Sequence, residues 1–329
     1  MAEKIPKYSV VVAVYNRPDE ISKLLDSLNK QLSKDFEVII VEDGSSIDCK
    51  TVITEYSSLL DIHYFFKENS GQGDSRNFGV AQAKGEYIVF FDSDCIIPQG
   101  YFLKVEEEMH KRSFDAWGGP DSASDDFNSL QKAISHTMTS YMTTGGIRGA
   151  KKQLGSFEPR SFNFGIRKST FIDLGGFHYT NRGEDIELSH RLKKEGYHSI
   201  LISEAFVYHK RRTTLSNFFK QVFSFGQTRI FLKQIHPRSL NIIHLLPLFF
   251  TLGFFSIPIW ACINMSICYT IIFLYSFYLL AVGVECVIKT KSLTVTFLAV
   301  VATWIQMIAY GTGFIREILK KTPRKKISY

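Results

Sequence analysis

Residues 87–98 read YIVFFDSDCIIP: a run of apolar, β-prone residues that ends in two carboxylates, Asp92 and Asp94, one residue apart. Unbroken apolar character without alternation predicts a strand buried on both faces, and such strands belong to parallel sheets covered by helices. A buried strand avoids charge, so the two acids mark its carboxyl end, where ligands bind in open α/β sheets. On an extended chain, residues two apart point the same way. Two carboxylates facing one spot suit a hard divalent cation, Mg²⁺ or Mn²⁺, of the kind held by one or two carboxylates and by substrate phosphates. The ordinary alternative is a pair of turn or helix-capping acids. An Asp-x-Asp triplet is common by chance; its place after an apolar strand gives it weight.

The flanking sequence repeats the pattern. YSVVVAVYN (8–16) is β-branched and ends in turn residues, and residues 18–33 then carry Ile21, Leu24, Leu25 and Leu28 at helical spacing. FEVIIVEDGSS (36–46) predicts a second strand, 47–60 a helix, IHYFFKE (62–68) a third strand, and SRNFGVAQAKG (75–85) a short helix stopped by Gly85. Strands alternating with helices predict an α/β domain with a parallel sheet covered on both faces. Asn16, Asp43 and Asp92 all fall at strand ends.

Other residues near these ends carry candidate chemistry. Asp43 can accept a hydrogen bond from a nucleobase N–H or a ribose hydroxyl; the alternative is an Asx-turn. Arg76 and Asn77, in NSGQGDSRNFG (69–79), stand at a predicted helix start, where a guanidinium can meet a diphosphate or a nucleotide ring. Exposed helix-start arginines are the bland counterpart. The Gly71-x-Gly73 pair does not follow a strand as a dinucleotide fingerprint does. GEDIELSHRLKKEGY (183–197) carries Glu184, Asp185 and Glu187. Acids in a first helical turn complement the dipole, or Asp185 is a general base for an acceptor hydroxyl. HKRR (209–212) offers His209 as a metal ligand and Arg211 and Arg212 as cations for a diphosphate leaving group, or a juxtamembrane patch for anionic lipid.

The chain has 329 residues, 45% hydrophobic and 22% charged, which excludes a disordered chain. Its net charge of +7 points to an acidic partner: phosphates, nucleic acid or an anionic membrane surface. The basic residues cluster beside apolar segments rather than with stacking aromatics, which argues against nucleic acid. Five cysteines show no zinc or disulfide spacing, so reduced thiols facing a reducing compartment are expected. MAEKIPKYSV lacks the apolar stretch of a secretory signal peptide.

Composition shifts near residue 240. Three apolar stretches, 242–263, 266–288 and 293–314, each reach the roughly 20 residues that span a bilayer. Glu285 is the only acid there before Glu317. Three in succession argue against a buried helical core. Upstream, Leu215, Phe218, Phe219, Val222, Phe223, Ile230 and Phe231 recur at helical spacing with Lys220, Arg229 and Lys233 between them. That predicts an amphipathic helix in the membrane interface, with a packed surface helix as the alternative. The basic tail REILKKTPRKK belongs in the cytosol by the positive-inside rule. A cytosolic N-terminal half and three spans would put the tail on the other side. Either one stretch is re-entrant or interfacial, or the tail breaks the rule.

Taken in order, SVVVAVYNRPDEISKLLDSL, VIIVEDGSS, SGQGDSRNFGVAQAKGEYIVFFDSD, SFNFGIRKSTFIDLGGF, RGEDIELSHRLKKEGY and HKRR closely resemble the membrane-associated members of glycosyltransferase family two, inverting enzymes with the GT-A fold. The resemblance covers roughly residues 7–235. It implies a nucleotide-contacting carboxylate at Asp43 and a base- or phosphate-contacting arginine at Arg76. Asp92, with Ser93, would lie near ribose or uracil, and Asp94 would be the metal ligand, with His209 completing the Mg²⁺ or Mn²⁺ site. Asp185 would be the catalytic base, Glu184, Arg211 and Arg212 would face the diphosphate or acceptor, and the backbone of Ala13, Val14 and Tyr15 would line the nucleobase pocket. The usual paired acids are Glu42-Asp43 here. The Gln-x-x-Arg-Trp motif of processive synthases is reduced to Gln227-Thr228-Arg229 without a tryptophan, which implies transfer of one sugar.

The organisation implied is a GT-A catalytic domain over 1–208, a basic amphipathic interface segment over 209–239, a transmembrane region of two to three helices over 240–315, and a basic tail over 316–329. The function implied is metal-dependent transfer of one sugar from a UDP or GDP sugar to a hydroxyl of a lipid-linked saccharide, in the making of a cell-envelope polysaccharide. It would take place on the cytosolic side of the cytoplasmic membrane, with a homo-oligomer as a further possibility. The rivals are a synthase that uses a polyprenyl phosphate itself as nucleophile and a nucleotide-binding membrane scaffold without catalysis.

Overall fold

A computed structural model describes residues 5–122, 127–145, 157–181 and 183–320. They form two compact units: 5–122, 157–181 and 183–210 in the first, 127–145 and 211–320 in the second.

The first unit opens with β1 (Tyr8–Val14), α1 (Pro18–Asn29), β2 (Phe36–Asp43), α2 (Lys50–Tyr56), β3 (Ile62–Lys67), α3 (Gln72–Gln82) and β4 (Tyr87–Phe91). It continues with β5 (Cys95–Ile96), α4 (Tyr101–Lys111), β6 (Ala116–Gly118) and β7 (Asp121–Ser122). Strands β1 to β4 are parallel, in the order β3-β2-β1-β4, with Val10 level with Val38 and Val89. Alternate residues of each strand serve opposite faces. Val10, Val38 and Val89 pack with Leu24 and Leu28 of α1, while Val11, Ile39 and Ile88 pack with Val80 of α3. Each such side chain contributes about 1.5–3 kcal/mol by leaving water. Pro18 opens α1 and Asp19 and Glu20 follow in its first turn, in keeping with the helix dipole.

Two boundaries differ from the sequence expectation. Helix α3 begins at Gln72 and ends at Gln82, so Gly85 is not its stop. Gly85 instead lets the chain run against β1, where a Cβ would lie 2.7 Å from the Ser9 nitrogen. The wholly parallel sheet holds only as far as β4. Beyond it β8 (Asn163–Arg167) runs antiparallel to both β4 and β6, and β9 (Ser199–Leu201) closes a seven-stranded sheet. Between these two strands come α7 (Lys168–Asp173) and α8 (Glu184–Lys194). A small second sheet, β5-β10-β7, uses β10 (Val207–His209) and sets His209 level with Cys95.

The second unit is helical. Helix α5 (Ser129–Thr139) starts with a capping box in which Asn128 and Gln131 satisfy each other's backbone N–H groups, and α6 (Tyr141–Thr144) follows. After α9 (Leu215–Ile235) come α10 (Leu246–Ile263), α11 (Met265–Thr290) and α12 (Leu293–Leu319). Three helices, over Ile242–Ile263, Met265–Thr290 and Leu293–Leu319, are long and apolar enough to cross a membrane. Phe249, Leu252 and Phe255 of α10 and Phe273, Phe277 and Leu280 of α11 are exposed on the protein, as lipid-facing residues are. The basic tail lies outside the described residues from 321 onward.

Much of the apolar stripe of α9 packs on protein, although Phe219 is exposed, and Arg229 of the expected polar side is buried. Phe218 and Val222 share a core with Ile134 and Met138 of α5 and Ala302 and Ala309 of α12, while Lys220 and Lys233 stay exposed. Glycines bring α9 and α12 together. A Cβ on Gly226 would lie 2.1 Å from the Tyr310 carbonyl oxygen, and one on Gly313 2.1 Å from that of Phe223. Small residues at such crossings let backbones approach closely and pack. A Cβ on Gly283 meets only Val300 and Thr296 methyl groups, at 3.5 and 3.7 Å. We therefore expect Gly226→Ala or Gly313→Ala to destabilise the second unit by about 1–3 kcal/mol through overpacking. Gly283→Ala should leave thermal unfolding in detergent unchanged.

Candidate active site

Strand β4 ends at Phe91, and the Cys95 N–H donates to the Asp92 carbonyl oxygen (3.1 Å). Asp92, Ser93 and Asp94 thus sit in a tight turn, not on an extended strand. The two carboxylates do not owe their positions to strand alternation, as the sequence suggested. Pairing of β5 with β10 brings His209 to them: its Nε2 lies 3.1 Å from Asp94 Oδ1 and 3.9 Å from Asp92 Oδ2. The imidazole stacks on Phe162, and its Nδ1 lies 4.0 Å from Asp121. Burial disfavours the charged imidazole, but Asp94, then Asp92 and Asp121, outweigh it and hold its pKa above the usual value.

Arg76 ties this turn to the start of α8. Its Nη2 lies 2.7 Å from Asp92 Oδ1 and its Nη1 2.9 Å from Glu184 Oε1, and Gln72 also donates to Glu184. The arginine is buried, which works against its charge, yet Asp92, Glu184 and Asp185 together hold its pKa above the ordinary value. One cation cannot neutralise three acids. Burial, followed by the charge of Asp185, pushes the Glu184 carboxyl up to about 7 against the pull of Arg76. Asp185 itself is half-buried. Its Oδ1 accepts the Ile186 N–H (2.8 Å) and its Oδ2 the Ser161 N–H (3.2 Å).

Asp43 is turned toward the loop after β3. It accepts from the Lys67 ammonium (2.6 Å) and from the Ser70 and Gly71 N–H groups (2.9 Å each). Burial works against its charge, but these donors outweigh it and hold its pKa low. A carboxylate accepts about four hydrogen bonds, so Asp43 keeps room for one more. Beside it, Asn16 adopts a left-handed backbone (φ 55°), and its side chain accepts from the Ser46 and Ile47 N–H groups. Ala13 and Val14 end β1, Val14 is buried, and Tyr15 after them is exposed.

The structure thus brings together Arg76, Asp92, Asp94, Glu184, Asp185 and His209, with Ser93 buried in the same turn. Arg211 and Arg212 belong to the second unit, where the Arg211 carbonyl accepts from Gln131. Two cations were missed in the sequence. Arg17 lies 3.2 Å from Asp94 and 2.9 Å from Glu20, and Lys67 is the register partner of Asp43. Both had a signal, since Lys67 ends the apolar run of β3 and Arg17 comes three residues after the end of β1, at the carboxyl edge of the sheet.

Asp94 and His209 offer an oxygen and a nitrogen that suit Mn²⁺ and, less well, Mg²⁺. The Cys95 sulfur is close enough to join them. Complete burial, then Asp94 and Asp92, push that thiol well above its usual pKa in the metal-free protein.

A mixed α/β sheet with these acids at its carboxyl edge is a GT-A-like architecture. The sequence profile of Glycosyl transferase family 2 matches residues 9–188. The chain belongs to that family.

Among its relatives, a GalNAc(5)-diNAcBac-PP-undecaprenol beta-1,3-glucosyltransferase of Campylobacter jejuni is 39% identical over 110 residues, 32% of this chain and 36% of that protein. The uncharacterized glycosyltransferase EpsJ of Bacillus subtilis is 31% identical over 115 residues, 35% of this chain and 33% of that protein. The chain matches only part of its curated relatives' lengths, 36% in the Campylobacter protein and 13% in a Rickettsia bellii glycosyltransferase. Among solved structures, the mannosyltransferase PcManGT of Pyrobaculum calidifontis, in complex with GDP-Man and Mn²⁺, shares the fold. Its TM-score is 0.60 at 18% identity, covering 97% of this chain and 89% of that one.

The raised Glu184 pKa has a consequence for stability. Folded Glu184 keeps its proton up to about 7, whereas its ordinary pKa is 4.5. Between those values the folded state holds more protons than the unfolded one, so stability falls as pH rises through this window. Thermal unfolding of the nucleotide-free protein from pH 4.5 to 7.5 should show that decline, and Glu184→Gln should flatten it.

Proposed function

We propose that the protein is an inverting glycosyltransferase that moves one sugar from a UDP or GDP sugar to a hydroxyl of a membrane-bound, lipid-linked saccharide. The observation that carries this reading is the buried Arg76, which joins Asp92 of the strand-end turn to Glu184 of the α8 start beside the Asp94–His209 pair. In this reading Asp43 gives its remaining acceptor position to a nucleobase N–H, the backbone of Ala13, Val14 and Tyr15 lines the base pocket, and Asp92 and Ser93 face the ribose. Asp94 and His209 would hold a divalent ion, which when bound supplies positive charge for the leaving diphosphate. Arg211 and Arg212 serve the same diphosphate or the phosphates of the acceptor. Asp185 removes the proton of the acceptor hydroxyl, which attacks the anomeric carbon opposite the leaving group, so configuration inverts. Glu184 holds Arg76 in place rather than taking the proton.

Three helices fit for a membrane support a lipid-borne acceptor, as does a relative whose name places its sugar on an undecaprenol-linked glycan. PcManGT, solved with GDP-Man and Mn²⁺, supports a nucleotide-sugar donor and that ion. The catalytic unit then works on the cytosolic face of the cytoplasmic membrane.

The test is donor turnover by the purified protein in detergent, with Mn²⁺ or Mg²⁺, across UDP-, GDP- and dTDP-sugars. Release of one nucleoside diphosphate is expected, abolished by EDTA and by Asp94→Ala; no turnover and no equilibrium binding of any of these donors would sink the reading. Asp185→Asn should lower transfer by about 10²–10⁴-fold while nucleotide-sugar binding stays intact. Retention of most activity in that variant would instead favour a phosphate nucleophile, as in a polyprenyl-phosphate sugar synthase.

A further inference from the structure

The amino-terminal edge of the sheet, opposite the edge that carries Asp43 and Asp92, holds a cluster the proposed reaction does not use. Glu37 is the second residue of β2, His63 the second of β3, and Asp61 directly precedes β3. His63 is level with Ile39, two residues from Glu37, so both side chains leave the same face. Glu37 is fully buried. Its Oε1 accepts from the Ser9 hydroxyl and from the Lys84 N–H, both at 2.6 Å, and Ser9 Oγ accepts the Gly85 N–H (2.8 Å). That link fastens the turn after α3 to the sheet and accounts for one oxygen.

The other oxygen is left over. Among the described residues Glu37 Oε2 has no hydrogen bond, nor does His63 Nε2. The two lie 3.3 Å apart, and His63 Nε2 lies 3.3 Å from Asp61 Oδ1. Ligand atoms of all three residues fall within 4.8 Å of one another. A buried carboxylate oxygen without a donor is costly. Two bonds of about 2.0–2.1 Å at a tetrahedral angle place their ligand atoms roughly 3.3–3.4 Å apart. One imidazole and two carboxylates form a donor set that zinc accepts. The side chains of His63 and Asp61 are 33% and 62% exposed, so the cluster lies next to the surface.

We propose that Glu37, Asp61 and His63 form a second divalent-cation site of zinc type, fastening the edge strand β3 to β2. The site has a reason to matter beyond its own end of the sheet. Strand β3 is only partly buried along most of its length, and its far end carries Lys67, the partner of Asp43. An ion at the near end stiffens the strand that places that lysine. A metal-free ion pair between His63 and Glu37 is the competing account.

The test uses the full chain in detergent, stripped with EDTA and carrying Asp94→Ala so that the other metal position is silent. Zn²⁺ alone is titrated by calorimetry, and unfolding is followed with and without it. The parent should bind one more zinc per chain than its His63→Ala derivative and should melt higher with zinc. Both His63→Ala and the exposed Asp61→Asn should lose that zinc, with affinity down by roughly 100-fold or more, and lose the shift in melting. If zinc binding and the melting shift are the same in the parent and in both variants, the site does not exist; Asp61→Asn decides the matter if His63→Ala fails to fold.

Discussion

A single buried guanidinium organises the candidate active site. Arg76 reaches from α3 to Asp92 on one side and to Glu184 on the other. These acids lie 92 residues apart in sequence (184 − 92), so the arginine fixes the distance between a strand-end turn and a helix start that no local interaction relates. Lysine would not replace it, because a point charge cannot offer a planar fork to two carboxylates at once. Removing one partner of a buried pair leaves an uncompensated charge, at about 3–5 kcal/mol. The same arrangement leaves the region short of positive charge, since Asp185 adds a third acid to the field of Arg76 and Asp94 lies beyond it. A diphosphate entering such a region needs more positive charge, and Arg17, paired with Asp94, is one cation already beside it.

Backbone topology supplies the second part of the site. His209 meets Asp94 because β10 pairs with β5, and β5 begins one residue after Asp94. The pairing is two residues long and adds little stability by itself. Its role is positional: it converts a turn and a distant chain segment into one ligand pair. Asp43 is fixed differently, by the loop 67–71, whose N–H groups and lysine converge on it. Each acid is therefore held by a separate stretch of chain, and a fault in one need not displace the others.

The sequence revealed most where a feature is continuous in the chain. Strands β1, β2 and β4 were legible because unbroken apolar runs ending in polar residues have few other uses. Asp92, Asp94, Glu184 and Asp185 were legible because they end such a run or open a helix. What was not legible depends on pairing between segments. The reversal at β8 leaves no mark on NFGIR itself. Helix α5 was overlooked although Asn128 and Gln131 form a capping box, because Ile134 and Met138 find their partners 80 residues or more downstream, on α9 and α12. The turn geometry of Asp92 to Cys95 was misread because an Asp-x-Asp triplet looks alike in a strand and in a turn. Glu37, Asp61 and His63 drew no attention, since only the register of β2 against β3 makes them neighbours.

The apolar helices pose a question of parity that lengths help to answer. Three crossings put residues 240 and 320 on opposite faces of a bilayer; two put them on the same face. Helices α11 and α12 have 26 and 27 residues, about 39 and 40 Å at 1.5 Å per residue, ample for a hydrocarbon core of roughly 30 Å. Helix α10 has 18 residues, contains Pro258 and is joined to α11 by Asn264 alone. At about 27 Å it falls just short of that core without the 3₁₀ turn over Ile242–Leu245. A one-residue link forces α11 to turn back at once, and the Tyr275 hydroxyl bonds the Phe250 carbonyl, holding the two helices side by side. Of the three, α10 has the least length to spare, yet with the 3₁₀ turn the 22 residues of Ile242–Ile263 suffice for a crossing.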